Sequence, residues 1–190
     1  MRIIALVSVV LTLAFSPVHA QLRVPLKITV DKDQKTQQEV KRQAQARQTG
    51  NVIVHTPQVT ERSREVVMNI KLQNLGGRDL SGLLVKYTLF GRDKTTRAIR
   101  PAVQGESTIS LKPLEAKTVK TEPVEFDSVD VAFTHGIGAE FNRTAGKEYY
   151  GIAVTVFVGD EKVASHFNPA AVEKELEKLQ QEAAPEKPDK

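Results

Sequence analysis

The stretch Glu65–Asn74, EVVMNIKLQN, constrains this chain more than any other. Val66, Met68, Ile70 and Leu72 fall at every second position, with Val67, Asn69, Lys71 and Gln73 between them. A period of two is the pleat of a β-strand, whose successive side chains point to opposite faces. The same grammar returns in Leu83–Phe90, LLVKYTLF, which aligns Leu83, Val85, Tyr87 and Leu89. It returns again in Ile152–Val158, IAVTVFV, where Ile152, Val154, Val156 and Val158 share a face opposite Gly151, Ala153, Thr155 and Phe157. Each run ends in turn residues: Asn74-Leu75-Gly76-Gly77, Gly91-Arg92-Asp93 and Gly159-Asp160. Gly and Asp accept the backbone angles that a tight reversal needs. After Gly159-Asp160-Glu161-Lys162, the segment Val163–Phe167 reads as the returning strand of a hairpin.

Weaker strand signals fill in the rest. Ser107–Leu111 and Lys117–Phe126 are short candidates, the second interrupted by Pro123. Leu22–Val30 and Asn51–Val59 carry Pro25 and Pro57. Proline cannot donate to a ladder, so these runs belong at sheet edges. Many short strands at intervals of roughly 8–12 residues predict an all-β protein of sandwich type, since each apolar face needs a second sheet to cover it. The expected β-domain runs over 21–167.

Two segments break the pattern. Lys32–Gln48, KDQKTQQEVKRQAQARQ, is polar on every side, with Val40, Ala44 and Ala46 as its apolar residues. Its residues favour a helix, yet a helix polar all round has nothing to hold it. An exposed helix, a mobile excursion and two long polar strand extensions all remain open. The second segment follows Asn168-Pro169, which suits a helix cap and first turn. Val172, Leu176 and Leu179 then form a narrow stripe. A short docked helix is expected over 168–182, and a disordered tail over 183–190.

The N-terminus reads as a cleavable export signal: Arg2, then an apolar run from Ile3 to Phe15, then Val18-His19-Ala20 as a small-x-small site. The run is shorter than the roughly 20 residues of a membrane span. Cleavage after Ala20 would remove residues 1–20 and leave no span in the mature protein. The whole chain has no Cys. That excludes lipid attachment at the cleavage site, thiol nucleophiles, redox pairs and thiolate metal sites. A periplasmic or secreted location is expected. The net charge of +4 falls to +3 once Arg2 leaves with the signal, too mild to imply a nucleic-acid partner. The basic residues Lys32, Lys35, Lys41, Arg42 and Arg47, joined by Arg62 and Arg64, have no interleaved aromatics for base stacking.

Little in the sequence carries chemistry. His55, His135 and His166 share no metal-ligand spacing, and no serine sits in a nucleophile elbow. Asn142-Arg143-Thr144 matches a glycosylation sequon, a pattern common by chance. The stretch Asp127–Lys147 is 21 residues between strong strands, long for a loop. It gathers Asp127, Asp130, His135 and Glu140 as weak metal-ligand candidates, without the spacing of an EF-hand. The plainer alternative is a strand near Val129–Phe133 followed by a surface loop. Phe133 and Phe141, with Tyr149 and Tyr150, are candidates for an interaction surface. Strand neighbours point to opposite sides, so one of the tyrosines is expected to face outward. No cofactor is expected.

The stretch VVMNIKLQNLGGRDLSGLLVKYTLFGRD resembles the immunoglobulin-like and fibronectin-type-III-like sandwiches of bacterial exported proteins. ISLKPLEAKTVKTEPVEF is similar to their strand, Leu-x-Pro, turn and strand step, and YYGIAVTVFVGDEKVAS to their last hairpin. The resemblance covers Val66–Phe167 and is one of fold, which many functions share. It brings no catalytic residues. It implies a non-catalytic binding or structural module of the cell envelope, meeting an envelope protein or polymer, or a second copy of itself, through exposed sheet edges. The alternative is a small metal-dependent accessory module or enzyme using loop 127–147.

Overall fold

The computed structural model describes residues 24–43, 45–49, 52–134 and 140–183. The expected signal at 1–20, His135 and residues 184–190 of the expected tail lie outside them.

Alternation predicts the core correctly. Val66, Met68, Ile70 and Leu72 stand on β4, Gln58–Asn74, at no more than 2% exposure. They pack in one cluster with Leu83, Val85, Tyr87 and Leu89 of β5, Leu80–Asp93, and with Ile152, Val154 and Val156 of β9, Glu140–Val158. Each of the fully buried aliphatic side chains contributes on the order of 1.5–3 kcal/mol. In chain order the remaining elements are β1 (Leu26–Arg42), β2 (Gln45–Thr49), β3 (Val52–Thr56), β6 (Ile99–Leu111), β7 (Ala116–Lys120), β8 (Val124–Thr134), β10 (Glu161–Asn168) and α1 (Val172–Ala183). All strand pairings are antiparallel. The protein is all-β with one short C-terminal helix.

The main sheet has eight strands on the path β1-β4-β8-β9-β5-β6, with β7 also on β4 and β10 also on β9. It is folded on itself. The apolar faces of β1, β4 and β7 meet those of β5, β6, β9 and β10 across the common core, a sandwich-like packing. β9 connects the halves: Glu140–Gly146 pairs with β8, and Lys147–Val158 pairs with β5. The corner needs Gly146, whose φ is +107° and whose Cα lies where an added Cβ would meet the Ser128 Cα at 2.7 Å.

Three expectations change. The polar segment Lys32–Gln48 is strand: β1 runs to Arg42 and β2 begins at Gln45, the third of the open alternatives. Helix propensity loses because β4 offers Lys32–Val40 an unbroken row of backbone partners from Met68 to Thr60. The stretch Asp127–Lys147 is no 21-residue loop. β8 and β9 pair from Ser128↔Gly146 to Thr134↔Glu140, so most of it is hairpin. Finally, Asn168 is no helix cap. It pairs with Ile152 as the last residue of β10, and α1 starts at Val172.

The helix stripe does dock. Val172 is buried with Phe90 and Ala153, and Leu176 and Leu179 pack beside it with Tyr150 and Phe167. Ala153 and Thr155, on the second face of the IAVTVFV strand, are therefore buried as well. Close approach is possible because Gly151 has no Cβ. One placed there would stand 2.5 Å from the Asn168 carbonyl oxygen and 2.6 Å from both Pro169 Cδ and Val172 Cγ2.

Candidate functional site

Past Val66 toward the chain's start, the core-side positions of β4 become Arg64, Arg62, Thr60 and Gln58. The ladder continues where the apolar core stops. β1, β4, β8 and the first part of β9 thus extend as an arm. The hairpin β2–β3 follows directly from β1 and leads into β4.

Register assigns the arm's faces, because cross-strand partners share a face. On the core-side face Gln38 and Ser128 flank Arg62, and Val40 and Asp130 flank Thr60. Arg62 Nη1 lies 3.3 Å from Asp130 Oδ2. The Nε atoms of Arg62 and Arg64 are buried without a hydrogen-bond partner among the described residues. Lys32 Nζ lies 5.3 Å from the centre of the Tyr149 ring. The other face alternates charges. Lys41 Nζ is 2.8 Å from Glu39 Oε2 and 3.6 Å from Glu61 Oε2, and Lys35 Nζ is 3.8 Å from Glu65 Oε1. The hydrogen bond to Glu39, and then its charge, raise the Lys41 pKa above its ordinary value. Solvent screening leaves these exposed pairs worth little individually.

The arm has two borders of different kind. β8 pairs with both β4 and β9. β1 pairs only with β4 among the described residues, so no strand is laddered to its outer edge there. From Asp31 to Lys41 every side chain is exposed. No proline interrupts β1, and its register with β4 is regular until the shift between Val40 and Arg42. Such an edge presents a row of unpaired N–H and C=O groups.

The metal-ligand candidates do not converge. Asp127 is exposed opposite Ser63, whereas Asp130, an odd number of residues along β8, points to the other face and pairs with Arg62. Glu140 opens β9 opposite Thr134, and His135 lies outside the described residues. Among the described residues no three His, Cys, Asp or Glu side chains gather closely enough to hold a metal ion. Of the aromatic candidates, Phe133 and Phe141 are register partners in the β8–β9 hairpin. Tyr149 and Tyr150 do point to opposite sides, but neither is exposed. Tyr149 packs against the main core, its ring edge-on to Phe126 at 6.1 Å, and burial pushes its hydroxyl up to about 12. Tyr150 joins the cluster under α1, with the Arg92 guanidinium 5.5 Å from its ring centre. Arg92 in turn donates from Nε to Glu148 Oε1 at 2.8 Å. Sequence reading missed both the Arg62–Asp130 and Arg92–Glu148 pairs. Their partners are 68 and 56 positions apart (130 − 62 and 148 − 92), and only strand register joins them.

A surface depression of about 430 Å³ lies between α1 and the outer face of the β5–β9 half. Lys86, Gln104, Glu106, Phe157, Leu176 and Leu179 line it. Lys86 Nζ sits 4.0 Å from Glu106 Oε2 and 5.7 Å from the Phe157 ring centre. Its lining carries one carboxylate, that of Glu106 beside Lys86, and no histidine.

No protein-family model matches this chain, and no curated protein matches it. Among solved structures, it is similar to the Northeast Structural Genomics Consortium target SoR45, at 12% identity over 67% of this chain and 87% of the other, with a TM-score of 0.27. A protein from Archaeoglobus fulgidus is 13% identical over 68% and 92%, with a TM-score of 0.29. One from Akkermansia muciniphila is 14% identical over 84% and 78%, with a TM-score of 0.25. At these TM-scores the superpositions carry no argument about function. Among the described residues, no helix is long and apolar enough to cross a membrane.

Proposed function

We propose that this chain is an exported, non-catalytic recognition or structural module of the cell envelope that engages its partner along the free edge of β1. The observation that carries the reading is that edge: 17 residues, free of proline, with exposed side chains from Asp31 to Lys41. Strand addition to such an edge supplies main-chain hydrogen bonds, and alternate side chains supply selectivity. Export is supported by the pattern of Arg2, the apolar run Ile3–Phe15 and Val18-His19-Ala20.

An immunoglobulin-like or fibronectin-type-III-like identity belongs to the same proposal. Its support is the pairing of β1, β4 and β7 on one side of the core and of β6, β5, β9 and β10 on the other. On this view the β2–β3 hairpin and β8 are additions that lengthen one end of an ordinary module.

Deleting 127–147 would remove paired strands from the sheet, so the test uses single positions. A photo-crosslinking residue is placed at Asp33, Lys35 or Gln37 of the full chain, or at Thr108 on β6, in the exporting cell. Adducts from the β1 positions and none from Thr108 are expected. Adducts confined to Thr108, or none from any position while the protein remains in the cytoplasm, would contradict the reading.

A further inference from the structure

We propose that the partner at this edge is a second copy of the same chain, joined antiparallel through β1 about a two-fold axis at Gln37. The proposal rests on the reading of β1 as the working edge and names its occupant.

The other edges are poorer templates. β7 has five residues, β10 has eight and a register shift, and β6 carries Pro101 beside an irregular stretch. β1 is long and regular up to Val40. Its side chains from Asp31 to Lys41 are exposed, including the apolar Val40 at 45%. Along Asp31–Lys41 a second strand would meet only exposed side chains.

Charge then selects the register. In an antiparallel pair of identical strands, edge-facing residues have one parity, so residue numbers across the pair sum to an even number and the axis passes through a residue. With the axis at Gln37, Lys35 faces Glu39 of the second copy and Asp33 faces Lys41. Symmetry repeats both pairs, and Gln37 meets itself. Lys41 stands at the register shift with β4, and just past it Lys32 meets Arg42, of the same sign. Neighbouring axes are worse. At Lys35 the axis sets Lys35 against itself and Asp31 against Glu39. At Thr36 the attraction of Asp31 to Lys41 is offset by Asp33 against Glu39, at Gln38 Lys35 meets Lys41, and at Asp33 the pairs Asp31–Lys35 and Lys27–Glu39 come with Asp33 against itself. At Gln34 a single attractive pair, Asp33–Lys35, is offset by Lys27 against Lys41. Like charges directly opposite on adjacent strands repel, and opposite charges attract. With the axis at Gln37, the DKDQKTQQEVK pattern of Asp31–Lys41 thus gives two attractive pairs and no like-charged pair within that stretch.

The absence of cysteine makes the test clean. Gln37→Cys in the mature protein places two thiols across the axis, within the separation a disulfide spans. Asp33→Cys places them eight residues apart along the strands, roughly 26 Å. Mild oxidation is expected to give a dimer from Gln37→Cys and none from Asp33→Cys. Sedimentation of the Cys-free protein is expected to show a dimer that added salt weakens. Lys35→Glu, which faces Glu39 across the pair, should weaken it about tenfold, and Lys35→Glu with Glu39→Lys should restore it. Equal crosslinking of both thiol variants, or a protein that stays monomeric while Gln37→Cys stays reduced, overturns the proposal. A monomer that still gives foreign adducts from β1 in the cell overturns self-pairing and leaves the edge reading standing.

Discussion

Asn74 shows how much a single polar side chain can organise here. It ends β4 with no exposed surface. Its Nδ2 donates to the Arg78 carbonyl at 2.7 Å and the Lys112 carbonyl at 3.0 Å, and its Oδ1 accepts from the Gly76 N–H at 2.9 Å. One amide therefore shapes the β4–β5 turn and ties it to the turn after β6. Asn74→Ala leaves the Arg78 and Lys112 carbonyls without their amide donor and is expected to cost about 1–3 kcal/mol by denaturant unfolding. A loss under 0.5 kcal/mol would refute that role. The sequence marks Asn74 as a turn residue, but its bond to Lys112 crosses 38 positions and has no local signature. Tyr149 is a second residue-scale case. Burial raises its hydroxyl to about 12, above the ordinary 10. The unfolded chain then loses its proton first as pH rises. The stabilisation is full below pH 10 and is lost between about 10 and 12. The ring is only half-buried, so the effect is about 1 kcal/mol after solvent screening. Tyrosinate absorbance should show a late component that Tyr149→Phe removes. A Tyr149→Phe titration identical to that of the unaltered protein would contradict this.

At the scale of elements, what was legible depended on whether a pattern was local. The β4, β5 and β9 alternations placed the core because burial on one face leaves period two in the sequence itself. The Val172, Leu176, Leu179 stripe likewise announced α1. The helix start was not legible, since Asn168-Pro169 looks like a cap in isolation and the ladder with β9 claims Asn168 first. The polarity of β1 hid a strand because neither of its faces is buried beyond Val30, leaving no periodicity to read. Among the site candidates, the separation of Asp127 from Asp130 followed once β8 was known to be extended. The contact between α1 and β9 gives the element-scale prediction. Gly151→Ala would force the Asn168–Val172 junction outward, and should cost about 1–3 kcal/mol with loss of helical signal but retention of sheet signal. Unchanged stability and helix content would show that the junction is looser than this packing implies.

At the scale of the molecule, one polypeptide builds both a packed core and a sheet that outruns it. The core half joins the first residues of β1 and Val66–Leu72 of β4 to β5, β6, β7, β10 and the second part of β9, with α1 over the outer side of β9. The arm has polar residues where the core has Val, Ile and Leu, and on one side it ends in β1, an edge strand among the described residues. On the proposed reading, stability and recognition are divided between these regions. Surface changes on β1 are expected to alter association with little effect on unfolding, whereas core truncations such as Ile70→Ala should cost about 2–5 kcal/mol wherever they are measured.

The central claim is that the edge of β1 is where this protein meets its partner. Hydrogen exchange of its backbone amides tests that most directly, in mature protein at rising concentration and with envelope extract added. The claim predicts that outward-pointing amides between Leu26 and Arg42 exchange quickly when dilute and slow on association, while β6 amides are unchanged. Association that protects β6 or α1 and leaves β1 exchanging at its dilute rate would contradict it.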